Sequence, residues 1–374
     1  MEASKEKKVL ISGASIAGLS TAYWMNQLGY RVTVVEIAGE PRIAGAAIDL
    51  RGATVDIAKR MGIYEHLRAN QLNVETVEFK NADDFTEGSI SLRGDEAHLE
   101  DDNLEIERDK FLGVLLDRLK NEVEFIFNDS ITALKETEDD IQVTFKSGSE
   151  RSFDLLFGCD GSHSGVRRIW FGQEAEYAHF LEAYFSITIV DKLLIKQKTM
   201  QMYNVPDKAI TLNAYNNKTD IIFCFFSEKE IPYDYRDIAQ QRAIIQNQFS
   251  RQSWRTPELL NEMEQSANFY FDRFCQIKMR SWTKGRVALV GDAGYCASPA
   301  AGMGASLSMN GAATLADALQ KYQGDYRLAF EAYNTVLRPF IEEVQATSER
   351  NVKENFIPRT EEAIRKRNAM EQPF

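Results

Sequence analysis

The opening stretch KKVLISGASIAGLSTAYWMNQLGYRVTVVE, residues 7–36, constrains the fold of this chain more than any other feature. The apolar run 9–12 is typical of a buried strand, and residues 17–28 have apolar side chains at helical spacing that end at Gly29. RVTVVE then predicts a second buried strand. A strand, a tight turn, a helix and a strand in this order indicate a parallel β-α-β unit. The stretch therefore predicts an α/β fold.

The turn before this helix contains Gly13, Ser15, Ala17 and Gly18, a variant of the nucleotide-binding G-x-G-x-x-G pattern. In that pattern the first glycine allows a tight turn, the last allows close helix packing, and the helix N-terminus faces a pyrophosphate. Ser15 replaces the middle glycine, and its hydroxyl is able to donate to a phosphate. Glu36 stands where an acid accepts hydrogen bonds from an adenosine ribose. Taken alone, the stretch fits a plain strand-turn-helix equally well.

Two later stretches, FDLLFGCDGSHSGVRR and GRVALVGDAGYCASPAAGMGASLSMNGAATLADAL, each predict a buried strand that ends in an aspartate. These aspartates are Asp160 and Asp292, and after the second one Gly302 and Gly304 introduce a helix of small residues. A carboxylate at a strand end accepts hydrogen bonds from hydroxyl groups, and a helix N-terminus stabilises negative charge nearby. Each motif alone is also consistent with an ordinary turn.

Together and in this order, the three motifs resemble those of the group A flavoprotein monooxygenases, the aromatic hydroxylase family of FAD enzymes, over nearly the whole chain. The resemblance implies an α/β fold with a Rossmann-like FAD-binding domain of the aromatic hydroxylase type, a β-sheet substrate domain and a C-terminal helix. Within the family, the chain is most similar to the tetracycline destructases, in the stretches AIDLRG and QIKMRSWTKGRVALVGDAGYC and in the C-terminal helix.

The resemblance implies an FAD-dependent monooxygenase that uses NADPH or NADH and O2. It would hydroxylate an electron-rich aromatic or enol substrate, with tetracycline-like antibiotics as candidates, through a flavin C4a-hydroperoxide. Two alternatives remain: a reductase or oxidase of the same flavin fold, and a flavin- or ligand-binding protein without turnover. A hydrolase is not expected, because the chain has no G-x-S-x-G motif.

The resemblance also implies roles for single residues. The glycine turn and Glu36 would hold the ADP half of FAD, residues 160–167 would support FAD and the approach of NADPH, and Asp292 would bond the ribityl chain. The helix that begins near Gly304 and Ala305 would point its positive end at the flavin N1–C2=O region. No catalytic acid–base residue is implied. The implied cofactor-binding residues are Gly13, Ser15, Ala17, Gly18, Glu36, Arg42, Asp49, Arg108, Asp160, Asp292, Gly302, Gly304 and Ala305.

The roles of three charged residues in this set are inferred from the family pattern alone. Arg108 would contact FAD, Asp49 the flavin and Arg42 the NADPH, with solvated surface charges as the alternative. The chain departs from the family at residues 302–306, where Gly-Met-Gly-Ala-Ser replaces G-Q-G-x-N. The chain therefore lacks the glutamine and asparagine side chains that make contacts in the family, while the backbone contacts are expected to remain.

Residues 73–97 and 173–275 have the alternation typical of strands and predict a substrate domain. Its sheet is expected to pack one face on its own helices and to turn the other toward a ligand. The remaining predicted regions are an FAD-binding domain of 1–72, 98–172 and 276–325, and a helical segment of 326–374 that Pro339 and Pro358 would kink or restart. The candidate ligand-facing residues, for which core packing is the alternative, are Gln201, Tyr203, Asn213, Tyr215 and Phe223.

The composition of the chain argues against several other classes of protein. A net charge of -12 does not favour a nucleic-acid partner. The four histidines lack metal-ligand spacing, which predicts no metal, and the four separated cysteines are expected to be reduced. With no long apolar window, we expect a cytoplasmic protein away from membranes. We also expect a monomer, and the resemblance implies O2 and a small aromatic or polyketide-like substrate as its partners.

Overall fold

In a computed structural model of the chain, the described residues are 7–41, 45–92 and 103–369. The chain divides into two compact units. The first unit comprises Met1–Gln71, Ile106–His179 and Cys275–Gln345, and the second comprises Leu72–Glu105, Phe180–Phe274 and Ala346–Phe374.

Strands and helices alternate along most of the chain. In chain order the strands are β1 (Lys8–Ser12), β2 (Arg31–Glu36), β3 (Ile48–Leu50), β4 (Gln71–Leu72), β5 (Thr76–Lys80), β6 (Thr86–Ser91), β7 (Leu104–Ile106), β8 (Glu124–Phe127), β9 (Ile131–Glu136), β10 (Ile141–Phe145), β11 (Glu150–Phe153), β12 (Leu155–Gly158), β13 (Ala178–Val190), β14 (Thr199–Val205), β15 (Lys208–Tyr215), β16 (Lys218–Phe226), β17 (Phe269–Ile277), β18 (Thr283–Lys284) and β19 (Val287–Leu289). The α-helices are α1 (Ile16–Gln27), α2 (Ala53–Arg60), α3 (Tyr64–Arg68), α4 (Arg108–Leu119), α5 (Gly165–Trp170), α6 (Ile238–Phe249), α7 (Thr256–Gln265), α8 (Asp292–Tyr295), α9 (Gly304–Lys321), α10 (Tyr326–Asn351) and α11 (Glu361–Asn368). Short turns of other helix types are Glu174–Glu176, Pro299–Ala301 and Val352–Phe356.

The centre of the first unit is a six-stranded sheet with the order β18-β19-β12-β1-β2-β8. All neighbouring pairs are parallel except the edge pair β18–β19. Strands β1, β12 and β19 are apolar and almost completely buried, as expected for a parallel sheet covered on both faces. Helix α1 packs against α4 and α9. An antiparallel sheet with the order β11-β10-β9 also belongs to this unit.

The second unit is built on a seven-stranded sheet with the order β17-β13-β16-β15-β14-β5-β6. Pairing is antiparallel from β13 to β14, whereas β14 pairs with β5 in parallel. Helices α6 and α7 cover one face, where Phe249 and Met263 pack against Tyr184, Phe223 and Phe225. The predicted sheet with one helix-covered face is therefore present.

The chain from residue 326 onward is mostly helical. Helix α10 continues through Pro339, and α11 restarts after Pro358. The division between the two units falls after Gln345, inside α10, so the predicted C-terminal segment 326–374 contributes residues to both. Within the second unit, Arg367 of α11 is 3% exposed and donates to Asn204 Oδ1 at 2.6 Å. This contact joins α11 to strand β14.

The α/β class, the strand-rich second region and the C-terminal helix predicted from the sequence are confirmed. Among the described residues, no helix combines the length and the apolar character that a membrane crossing requires.

Candidate functional site

Four neighbouring strands of the first unit end at one edge of its central sheet. Because β19, β12, β1 and β2 are adjacent and parallel, the residues that follow their carboxyl ends lie side by side. Gly13 follows β1 and donates its N–H to Val35 O at 2.8 Å, and Cys159 N donates to Ser12 O at 2.8 Å. Glu36 ends β2, Asp160 follows the end of β12 by two residues, and Asp292 follows the end of β19 by three. The three sequence motifs therefore meet at this edge.

The glycine turn is packed so closely that two of its positions accept no side chain. Gly13 has a φ of +103°, and a Cβ added there would lie 2.5 Å from Cys159 O. A Cβ added at Gly18 would lie 1.8 Å from Gly13 O. Because neither position has room for a side chain, the first and last glycines of the pattern allow the start of α1 to lie directly against the end of β1.

Arg108 brings a positive charge to the same turn. It begins α4, and its Nη2 donates to Ser15 Oγ at 2.7 Å. A Cβ added at Gly45 would lie 2.6 Å from Arg108 Cδ, so the glycine leaves room for the arginine side chain. A guanidinium beside the first turn of a helix is a favourable place for a phosphate group. Ser15, the departure from the glycine pattern, is the residue that binds this arginine.

Glu36 closes the turn from the neighbouring strand. Its carboxylate accepts the N–H of Ala14 at 2.8 Å and the N–H of Ala38 at 3.0 Å, and its side chain is buried. Each oxygen has a second lone pair, which leaves capacity to accept a hydroxyl group. The sequence predicts a ligand-binding role for Glu36, whereas its hydrogen bond with the turn is visible only in the structure.

The Asp160 carboxylate organises the loop after β12. It accepts hydrogen bonds from Ser164 Oγ and, at 3.0 Å, from Val166 N–H. Burial raises the pKa of Asp160, and the hydrogen bond from Ser164 offsets part of that rise. Arg167, which is 1% exposed, donates from Nη1 to Ala293 O at 2.9 Å. Residues 160–167 thus connect the end of β12 to α8, the helix that Asp292 begins.

The end of β19 is tightly packed as well. Gly291 has a φ of +68°, and a Cβ there would lie 2.9 Å from both Ala17 Cβ and Ser308 Oγ. Asp292 follows as the first residue of α8. Ala17 and Gly291 therefore bring α1, α8 and α9 together behind the candidate site.

The start of α9 forms the remaining side. Gly302 is left-handed with a φ of +62°, and the position of its missing Cβ lies 3.7 Å from Asp49 Oδ2. Ser306 Oγ donates to Asp49 O at 3.1 Å, which joins β3 to α9. Burial raises the pKa of Asp49, while Arg51 Nη2, 2.9 Å from the carboxylate, opposes the rise. A Cβ added at Gly304 would meet no described atom within 4 Å, so there is open space beside this first residue of the helix, while Ala305 next to it is buried.

The candidate substrate residues do not share one face of the second sheet. Tyr203 and Phe223 lie in the core under α6 and α7, 5% and 0% exposed, and this corrects the expectation that they face a ligand. A side chain packed between sheet and helices offers no free surface. Gln201 is on the same face as Tyr203 and donates to Glu78 Oε2 at 2.9 Å. By strand alternation, Asn213 lies on the opposite face.

Tyr215 shares that opposite face with Asn213, and its hydroxyl donates to Asp220 Oδ1 at 2.8 Å. Asn213, Tyr215 and Asp220 are all buried. Arg42, the candidate NADPH contact, lies outside the described residues. The structure thus brings the predicted flavin-side residues together in the first unit and separates the five predicted substrate residues into two groups.

Comparisons with known proteins agree with this geometry. A family model described as FAD binding domain matches residues 6–348. A flavin-dependent monooxygenase of Legionella longbeachae is 34% identical over 343 residues, 91% of this chain and 87% of the relative. An uncharacterised protein of Mycobacterium tuberculosis, Rv1260, is 36% identical over 344 residues, 91% and 92% of the two chains. The crystal structure of the tetracycline destructase Tet(51) covers 97% of this chain and 95% of its own, with 34% identity and a TM-score of 0.85.

Proposed function

This chain belongs to the FAD-binding domain family and is an FAD-dependent monooxygenase; we propose that it uses NADPH or NADH and O2 to hydroxylate an electron-rich aromatic or enol-bearing substrate. The proposed substrates include polycyclic compounds of the tetracycline kind. Two relatives in solved structures, Tet(51) and Tet(55), are tetracycline destructases with 34% and 33% identity to this chain. We further propose a cytoplasmic monomer.

One observation supports the cofactor site above all others: the glycine turn, Glu36, Asp160 and Asp292 converge at one edge of a single parallel sheet. The residues fit FAD chemically. N–H groups at the start of α1 and the Arg108 guanidinium suit a pyrophosphate, and the Glu36 carboxylate suits the hydroxyls of a ribose. Asp292 would accept from the hydroxyls of a ribityl chain.

When bound, FAD supplies the electron transfer and the dioxygen activation that a hydroxylation requires. The protein residues bind and orient. Helix α9 has 18 residues, and the positive end of its dipole, at Gly304, would stabilise negative charge on a group bound next to it. Asp49, beside that helix end, adds a carboxylate whose pKa is raised by burial and partly restored by Arg51.

The experiment that tests the proposal combines a spectrum with a turnover assay. Purified protein, reconstituted with FAD, is expected to be yellow with the absorption of an oxidised flavin. A panel of aromatic and polycyclic ligands, tetracyclines included, is then screened for stimulated NADPH and NADH oxidation. Product mass after reaction under 18O2 is expected to increase by one labelled oxygen atom.

Each alternative predicts a different result in the same experiment. A reductase or oxidase would consume NAD(P)H without adding labelled oxygen to an organic product. A binding protein would show slow NAD(P)H oxidation that no ligand stimulates. A colourless protein that does not take up FAD would refute the cofactor assignment itself.

A further inference from the structure

The segment 296–303 joins α8 to α9 in the first unit. Asp292 lies just before it, and the segment ends at Gly302 and Met303, immediately before Gly304. Two of the proposed FAD contacts, Asp292 and Gly304, therefore lie on the two sides of this one connection. Any role of the connection in holding FAD rests on the proposed function.

Two buried glutamines bind the beginning of the segment. Gln276 Nε2, on β17, donates to Gln345 O at 2.7 Å and to Ala297 O at 3.4 Å. Gln345 Nε2, on α10, donates to Ile277 O at 2.9 Å and to Cys296 O at 3.1 Å. The two residues are 0% and 6% exposed. Both amide groups thus bind main-chain carbonyls, and two of those carbonyls belong to the segment; Cys296 O also accepts the N–H of Ile277 at 3.0 Å.

The residue that follows these carbonyls has an unusual backbone. Ser298 has a φ of +79° and a ψ of 150°, a conformation that is essentially restricted to glycine. It is 5% exposed, and its Oγ accepts the N–H of Ala300 at 3.4 Å. An L-residue remains in this conformation only where its surroundings hold it there. Pro299–Ala301 then form a single helical turn that ends at the left-handed Gly302.

Stability alone does not account for a glutamine at position 276. Its Oε1 is buried and has no hydrogen-bond partner among the described residues. A buried acceptor without a partner costs free energy, and this cost offsets part of what the two donated hydrogen bonds contribute to stability. What the glutamine provides is its directed N–H groups.

We propose that Gln276 and Gln345 are positioning residues for FAD binding: by fixing the carbonyls of Cys296 and Ala297, they hold Ser298 in its strained conformation. That conformation sets the direction of the chain from Pro299 to Gly304. Without the two amides, Ser298 relaxes toward an ordinary backbone conformation, and the start of α9 and Asp292 lose their relative placement.

The test uses the full chain, prepared as apoprotein, with FAD as the titrant. Gln276→Met and Gln345→Met keep the length of the side chain and remove its donors. Each is expected to raise the Kd for FAD about tenfold, because the strained conformation is no longer enforced. Adding Ser298→Gly to Gln345→Met is expected to restore the Kd to within about threefold of wild type, because glycine adopts this backbone conformation without strain.

The matched control is Gln241→Met in α6 of the second unit. Gln241 is also buried, 4% exposed, and donates from Nε2 to a main-chain carbonyl, Asp234 O, at 3.2 Å. It is expected to lower the melting temperature as the other glutamine variants do, while the Kd for FAD remains that of wild type. This control separates loss of stability from loss of positioning.

Several outcomes would overturn the inference. Variants at 276 and 345 that lower the melting temperature yet bind FAD with the wild-type Kd would show a structural role only. A Kd that Ser298→Gly does not restore would exclude the strained turn as the link. If Gln345→Met fails to fold, Gln276→Met with and without Ser298→Gly gives the same two comparisons. A wild-type chain that does not bind FAD would refute the proposed function, and this inference with it.

Discussion

Gly18 in α1 allows a sharp test of how the glycine turn is built. In Gly18→Ala the new Cβ would lie 1.8 Å from Gly13 O, and the atom it meets belongs to the backbone. The separation must increase to at least about 3.0 Å, so α1 and the turn have to move apart by more than an ångström. Overpacking of this kind costs about 1–3 kcal/mol, and a collision with backbone belongs at the upper end. The higher helix propensity of alanine offsets about 0.5–1 kcal/mol of this cost.

The net loss expected for Gly18→Ala is therefore about 2 kcal/mol, together with at least about tenfold weaker FAD binding, because the moved turn carries Ser15. Gly113→Ala is the matched control. Gly113 lies inside α4, and a Cβ there would meet no described atom within 4 Å outside its immediate surroundings. This change is expected to stabilise the chain by about 0.5–1 kcal/mol, so the same substitution in two helices should have opposite signs.

The assay is urea unfolding of both apoproteins, followed by tryptophan fluorescence, with a parallel FAD titration. Opposite shifts of the urea midpoint, and weaker FAD binding in Gly18→Ala alone, would support the packing argument. A Gly18→Ala protein as stable as wild type, with unchanged FAD affinity, would refute it.

Three further predictions concern the flavin site and the second sheet. Asp292→Ala is expected to lower FAD occupancy after purification, measured from the ratio of flavin to protein absorbance; full occupancy would exclude the proposed contact. Phe223→Ala, which removes a fully buried ring 4.9 Å from that of Phe249, should cost about 3–5 kcal/mol in urea unfolding, whereas a ligand-facing side chain would cost much less. Burial raises the pKa of Asp49, with Arg51 opposing part of the rise, so folding favours the protonated carboxyl. The stability that the protonated carboxyl contributes is therefore lost as the pH rises through the raised pKa. Relative to wild type, Asp49→Asn should therefore gain unfolding free energy as the pH rises from about 4 toward neutral, and a difference that does not change with pH would contradict this.

Much of the first unit is predictable because its signals are local. The apolar strand 9–12, the turn at Gly13 and the helix ending before Gly29 appear in the structure as β1 and α1, with Leu28 as the C-cap and Gly29 at a φ of +79°. A parallel sheet brings all its carboxyl strand ends to one edge. For that reason the order of three motifs is sufficient to predict one shared site.

In the second unit, local patterns predict the strands but not which face of the sheet is covered. Alternation in TMQMYNV and AITLNAY predicts strands, and β14 and β15 are found there. Alternation does not say which of the two faces a helix will cover, since a shift of one residue exchanges them. The ligand-facing prediction is therefore wrong for Tyr203 and Phe223, whereas Asn213 and Tyr215 lie on the face opposite α6 and α7.

Local patterns in the chain are enough to give the class of fold and the family and to predict which residues stand at the strand ends, because glycine spacing and strand-end carboxylates act over a few residues. Which distant groups meet depends on tertiary packing. Arg108 reaches Ser15 across 93 positions, and Gln345 reaches Cys296 across 49. The backbone conformation of Ser298 could not be predicted from the sequence either, since a positive φ at a non-glycine residue is imposed by its neighbours in space. Such contacts depend on the packing of whole elements, which no short stretch of sequence encodes.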